Sequence, residues 1–150
     1  MIITVQAESF DVSSVAEQLM LNRKDIGAAV TFTGYVRDLS NNNHLKSLFL
    51  EHYPGMTEHS LTKIAKQAQK RWPIDDLVII HRIGTLLPSD PIVLIVTLSA
   101  HRKAAFHAAE FIMDYLKTDA PFWKKEITKD GEEWISSKQS DADEKTRWQQ

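Results

Sequence analysis

The stretch HRKAAFHAAEFIMDYLKTDAPFWKKE, His101 to Glu126, sets the architecture: one amphipathic helix that gives way, after Pro121, to an aromatic segment with two adjacent lysines. Ala105, Ala108, Ala109, Ile112, Tyr115 and Leu116 recur at helical spacing and form one apolar stripe, while Lys103, His107, Glu110 and Asp114 fall mostly off it. Ser99 is the expected N-cap, which puts His101 and Arg102 in the first turn, Lys117 in the last, and Pro121 just beyond the end. Lys117 suits the helix dipole, whereas Arg102 opposes it by about 0.3–1 kcal/mol. Two arrangements would offset that cost. A phosphate or carboxylate could be bound by the first-turn N–H groups together with His101 and Arg102, or Arg102 could pair with an acidic residue from elsewhere.

Working outward, Leu77 to Ile83 (LVIIHRI) and Ile92 to Ser99 (IVLIVTLS) are so uniformly apolar that they are expected at the centre of a sheet. Downstream, Phe122 to Thr128 and Glu133 to Ser136 flank Asp130 and Gly131, a hairpin-turn pair. At the start of the chain, Ile2 to Val5 reads as a short strand, and Asp11 caps a helix built on Val12, Val15, Ala16, Leu19 and Met20. Ala28 to Val36 alternates as a strand, with Gly34 marking a bulge or a close backbone approach. A polar loop from Asp38 to His44 follows, and Leu48 to Tyr53 is expected as the hairpin partner of that strand. A further helix, about Thr57 to Trp72, carries Leu61, Ile64, Ala65, Ala68 and Trp72 on one stripe and lysines elsewhere. The sum is an α+β domain with mostly antiparallel sheet and at least three helices, spanning 1–150 as a single unit with a polar C-terminal tail from 137.

With 150 residues, 43% hydrophobic and 25% charged, the chain fits one domain with a real core. A net charge of -2 argues against a general binder of nucleic acid or anionic membrane, while leaving room for a local basic pocket. There are no cysteines, so any sulfur handled here must come from another molecule. No apolar run reaches membrane-spanning length and no signal-peptide layout opens the chain, so a cytoplasmic location is expected. Phosphate loops, Walker motifs and nucleophile-elbow serines are all missing from the sequence.

The candidate chemistry lies around Pro121. Lys117 precedes it and Lys124 and Lys125 follow, so the turn can bring Lys117 near one of the other two. Strand alternation puts Phe122, Lys124 and Glu126 on one face and Trp123, Lys125 and Ile127 on the other. If Trp123 and Ile127 point into the core, Lys124 is the lysine turned away from it. A lysine held among cations has its ammonium form disfavoured and becomes usable as a base or nucleophile. The alternative is that all three are exposed, solubilising lysines. His52, His81 and Arg82 fit polar rims of strands, and His101 fits a hydrogen-bonded structural histidine. The spacing of the six histidines makes no metal set, and none is assigned.

Five blocks carry a family resemblance: FTGYVRD (Phe32 to Asp38), LEHYPGMTE (Leu50 to Glu58), HRIGTL (His81 to Leu86), HRKAAF (His101 to Phe106) and DYLKTDAPFWKKE (Asp114 to Glu126). In that order, over about Gly27 to Trp134, they resemble the large, catalytic subunits of molybdopterin synthase, the MoaE family. The resemblance implies an α/β hammerhead-like domain with an additional small antiparallel β-sheet. It implies a homodimer with one small ubiquitin-like sulfur-carrier subunit at each end, a heterotetramer with no cofactor of its own. It also implies a sulfurtransferase reaction, in which two sulfurs pass from the carrier's C-terminal glycine thiocarboxylate to cyclic pyranopterin monophosphate, forming the dithiolene of molybdopterin.

The family's pterin pocket maps onto Tyr35, Val36, Arg37, His101, Arg102, Lys117, Lys124, Lys125 and Glu126, with Lys117 and Lys124 as the catalytic pair. Two positions depart from the family pattern: Asn41 to Asn43 replace the usual glycine after the arginine, and Ser89 stands where a glycine is expected near Pro88. Two other function classes remain to be separated from the enzyme: a noncatalytic adaptor for a ubiquitin-like partner, and a sensor of a small anionic ligand. Geometry adds one expectation. On a straight helix His101 and Lys117 are ~24 Å apart along the axis, so both cannot line one small pocket of one subunit. Each active site is therefore expected to be composite, with His101 and Arg102 of one chain facing Lys117 and Lys124 of its dimer mate.

Overall fold

A computed structural model describes residues 1–38, 44–135 and 139–149. The asparagine run Asn41 to Asn43 and the end of the last strand at Ser136 lie outside the described residues. In chain order the elements are β1 (Ile2–Gln6), α1 (Val12–Met20), β2 (Ala28–Tyr35), β3 (Leu45–His52), α2 (Met56–Arg71) and β4 (Asp76–Arg82). They continue as β5 (Gly84–Leu86), β6 (Pro91–Ser99), α3 (Arg102–Asp119), β7 (Phe122–Thr128), β8 (Gly131–Ile135) and α4 (Gln139–Thr146), with a 3-10 turn at Arg147–Gln149. The result is an α+β fold of two four-stranded sheets and, among the described residues, four α-helices.

The first sheet has the order β1-β4-β6-β2, parallel only between β1 and β4. The uniformly apolar strands β4 and β6 are central in it, as expected, because both of their faces are covered. Leu77, Ile79, Val93 and Ile95 pack against α2 and α3 on one side. Val78, Ile80, Leu94, Val96 and Leu98 meet Phe10, Val12, Val15 and Leu19 of the α1 segment on the other. Asp11 caps α1 by accepting the Ser14 N–H at 3.3 Å.

The second sheet, β5-β3-β7-β8, is antiparallel throughout, and Gly131 with φ of 129° closes the β7–β8 hairpin. One strand pairing departs from expectation. β3 is not the hairpin partner of β2; β2 pairs with β6, and β3 lies between β5 and β7. Burial accounts for this: Leu45, Leu48 and Leu50 of β3 join Val36 and Leu86 in a separate small core under the second sheet.

α3 runs unbroken for 18 residues, and its stripe of Ala104, Ala105, Ala108, Ala109, Phe111, Ile112 and Leu116 is buried. Its N-cap is His101 rather than Ser99. Ser99 is buried at the end of β6, where its hydroxyl donates to the Pro73 carbonyl at 2.8 Å and accepts the His101 N–H at 3.3 Å. The polar C-terminal residues are held along α3. Trp148 packs edge-on against Trp72 and Phe111, at 5.5 and 5.6 Å between centroids, and its Nε1–H donates to Asp114 at 2.6 Å. Arg147 pairs with Asp114 and Glu110, and Lys145 with Asp119.

The corner that launches α3 is tight. A Cβ at Gly27 would lie 2.1 Å from the Ala100 carbonyl oxygen, and the Gly27 N–H donates to Ser99 O at 3.0 Å. Gly27→Ala should therefore push the β6–α3 corner, and His101 with it, outward at a cost of about 2–3 kcal/mol. A urea unfolding midpoint equal to that of the unmodified chain would show that the corner yields without strain.

Candidate active site

A cleft of about 390 Å3 opens where the ends of β2 and β4, the last turn of α3 and the first residues of β7 converge. β2 enters it through a bulge. The register with β6 shifts between Gly34 and Tyr35, and a Cβ at Gly34 would approach Val93 Cγ1 to 2.8 Å. Gly34 thus combines the bulge and the close approach expected of it. Past the bulge, the Val36 N–H donates to Asp90 O at 2.8 Å and the Val36 carbonyl accepts the Ser89 N–H at 2.7 Å. These bonds fasten Val36 as a buried wall and leave Tyr35 and Arg37 exposed at the rim. Ser89 holds φ of 76°, a conformation that favours the glycine expected there from the resemblance.

From α3, Met113, Leu116 and Lys117 line the cleft, and from β7, Phe122, Lys124 and Glu126 do so. The β7 face is the one expected, although for a different reason: Trp123 is not in the core but 46% exposed, 6.3 Å from Tyr53. The second face of β7 is simply the outer face of the second sheet. Lys125 lies on that outer face. It pairs with Glu132 at 3.1 Å and stands over the rings of Phe49 and Trp134 at 5.4 and 5.3 Å.

The structure thus brings Tyr35, Val36, Arg37, Lys117, Lys124 and Glu126 together, and leaves Lys125, His101 and Arg102 outside this cleft. His101 and Arg102 are exposed at the far end of α3. No side chain caps that helix start, and among the described residues Arg102 has no acidic partner. Among the described residues no group of histidine and carboxylate side chains is arranged to hold a metal ion. Nor is any helix among them long and apolar enough to cross a membrane.

Sequence reasoning missed His81 and Met113. His81 is no strand rim: it is 5% exposed, lines the cleft and stacks on Phe122 with centroids 3.8 Å apart and 17° between planes. Its Nδ1–H donates to the Arg82 carbonyl at 2.8 Å. Burial, with the charges of Lys124, Lys117 and His52 adding to it, pushes its pKa down to about 4. The signal was strand parity, since His81 shares a face with the core residues Leu77 and Ile79. Met113 lies one helical turn before Lys117, on the same face.

Two lysines from different elements, an arginine at the rim and aromatic walls line one cleft of a small α+β protein, an arrangement that suits group-transfer chemistry. Comparison with known proteins agrees. A family profile described as MoaE protein matches residues 5–119. The chain is 50% identical over 150 residues to the molybdopterin synthase catalytic subunit of Pseudomonas aeruginosa, covering 100% of each. A solved MoaE protein from Burkholderia ambifaria superposes with a TM-score of 0.85 at 47% identity, covering 99% of this chain and 98% of that one. A protein–protein complex of subunits 1 and 2 of molybdopterin-converting factor from Helicobacter pylori matches with a TM-score of 0.73 at 23% identity. It covers 93% of this chain and 92% of that chain, and speaks for the fold alone. The chain belongs to the MoaE family, the catalytic subunits of molybdopterin synthase, sulfurtransferases that convert a precursor into molybdopterin.

The buried imidazole has a consequence for stability. Its folded pKa of about 4 lies below the ordinary value near 6.5, so between these the unfolded chain binds the extra proton. Its contribution is complete above about pH 6.5, is lost as pH falls toward 4, and amounts to about 3 kcal/mol. His81→Asn, which removes the titrating group, should flatten the stability profile between pH 6.5 and 4 in denaturant titrations. An unchanged slope would show that His81 is not held neutral.

Proposed function

We propose that this chain transfers two sulfurs from the C-terminal glycine thiocarboxylate of a small ubiquitin-like carrier subunit to cyclic pyranopterin monophosphate, forming the dithiolene. The observation that carries it is the convergence of Lys117 and Lys124, from α3 and β7, on one cleft with Arg37 at its rim. A carrier subunit is what the family resemblance implies, and in the Helicobacter pylori complex a protein of this fold is associated with another subunit of molybdopterin-converting factor. Work in the cytoplasm agrees with the resemblance and with the absence of cysteine from the sequence.

In this mechanism Arg37 binds the substrate phosphate, joined by His101 and Arg102 of a second copy of the chain. Tyr35, Val36 and Glu126 shape and polarise the pocket around the pterin. Lys117 and Lys124 work where the thiocarboxylate meets the pterin carbon that receives sulfur. One of them serves as acid–base catalyst or as nucleophile toward the thiocarboxylate. The composite arrangement is supported by α3 itself, whose 18 helical residues span about 27 Å. Phe106, one turn beyond Arg102, is 61% exposed and offers an apolar contact for a second copy.

Mixing the purified chain with a thiocarboxylated carrier and cyclic pyranopterin monophosphate should yield dithiolene product, and no product would refute the assignment. Lys117→Ala should lower turnover by at least a hundredfold while carrier binding stays near normal. Arg102→Ala should mainly raise KM. Coexpressing Lys117→Ala with Arg102→Ala chains tests the shared site: hybrid dimers regain one intact site, restoring about a quarter of the activity at subsaturating substrate. A mixture no more active than the average of its two parents would place all four residues in one chain.

A further inference from the structure

Of the polar cleft residues to which the proposed reaction gives no role, His81 is the buried one. His81 is buried at the cleft wall, clamped on one face by the Phe122 ring and along its edge by the bond from Nδ1–H to the Arg82 carbonyl. That bond fixes the tautomer: the proton sits on Nδ1, and Nε2 carries the lone pair. Phe122 and Lys124 are two residues apart on the same face of β7, so the strand that stacks on His81 also carries the lysine. The charges of Lys124 on β7, Lys117 on α3 and His52 on β3 act on the ring, and the acids Glu126 on β7 and Asp141 on α4 line the same cleft. On its own strand, Arg82 is turned away, its guanidinium donating to Ala7 O and Pro91 O.

A proton relay from lysine to His81 is excluded by magnitude. An imidazole with a pKa of about 4 takes a proton from an ordinary ammonium at a disadvantage of about six powers of ten. What a neutral, immobile imidazole can do is accept a hydrogen bond. We propose that His81 is a positioning residue for Lys124, its Nε2 accepting from the ammonium and holding it at the point in the cleft where sulfur is transferred. Neutrality matters to this role, because a third positive charge would repel the lysine that the ring is placed to hold. The ring thus orients Lys124 without neutralising it, as a carboxylate in the same position would. This inference rests on the assignment of Lys124 to the sulfur-transfer chemistry.

Three variants separate positioning from packing. His81→Phe keeps the stack on Phe122 and removes the acceptor. His81→Gln places an acceptor near the position of Nε2, and His81→Asn keeps only the donor to Arg82. In the chain alone, with 13Cε-labelled lysine assigned through Lys124→Arg, NMR titration should show Lys124 losing its proton at lower pH in the Phe and Asn variants. The Gln variant should return it toward the unmodified value, because only a bonded ammonium is favoured by the acceptor. In the reconstituted reaction, kcat per folded molecule should fall about tenfold for Phe and Asn and recover in Gln, with KM within about twofold throughout. An unchanged Lys124 titration in the Phe variant would overturn the proposal, as would equal losses of kcat in all three. If the unmodified chain forms no dithiolene, the proposed reaction fails, and the lysine titration still decides whether His81 holds Lys124.

Discussion

The Thr97 hydroxyl donates to the Ala105 carbonyl at 2.7 Å inside the interface between β6 and α3, with neither residue exposed to solvent. The bond is worth only about 1 kcal/mol net. Leaving that hydroxyl unpaired would cost more, so helix positions that slide along the strand are disfavoured well beyond the bond's own strength. The small side chains of Ala104, Ala105, Ala108 and Ala109 let the helix approach closely enough for the bond to form. With α3 pinned at that height, its start falls against the Gly27 corner and its last turn beside β7. Both basic ends of the helix take their places from one buried contact.

Charge placement in the cleft follows from what surrounds α3. The chain as a whole carries a net charge of -2, and the cleft that gathers Arg37, Lys117 and Lys124 also holds Glu126 and Asp141, while two further acids beside Lys117 are engaged elsewhere. Asp114 and Asp119, which flank Lys117 in sequence, are bound by Arg147 and Lys145 of the C-terminal segment. Trp148 anchors that segment, so an aromatic contact remote from the cleft helps to decide which acids its lysines meet. Lys125 shows the contrast. Its partner Glu132 lies across the β7–β8 hairpin, and the lysine is spent on the outer face of the sheet.

Elements whose burial is local in sequence were legible from the sequence itself. β4 and β6 announced themselves by unbroken apolarity, α1 by Asp11 and its stripe, α3 by its alanines, and the last hairpin by Asp130 and Gly131. The pairing of β3 was not legible, because its partners β5 and β7 come much later in the chain and strand alternation carries no record of which edge a strand will meet. The position of Trp123 misled for a related reason. A tryptophan suggests core, but β7 has its cleft on one face and open surface on the other, and the aromatic residue fell on the open side. Of the site, Lys117 and Lys124 could be placed by the turn at Pro121. His81 required knowing that β4 is buried to its last residues, so that a histidine at a core-facing position stays inside.

The helix that first stood out for its basic ends matters most through its length. No distortion breaks α3 between Arg102 and Asp119, so the helix start and the two-lysine cleft are held about 24 Å apart in one chain. A pterin-sized substrate cannot bridge that distance. Arg102 nevertheless sits against the positive end of the dipole, on a helix start that no side chain caps, without an acidic partner among the described residues. A local cost of about 0.3–1 kcal/mol is thus left standing in the isolated chain. An anion bound there by the helix and Arg102 would relieve it, and the proposed substrate carries one. The proposed dimer joins the two halves: what is an uncompensated helix start in one chain becomes the phosphate end of its neighbour's pocket, and the rigid helix couples the two sites at a fixed spacing.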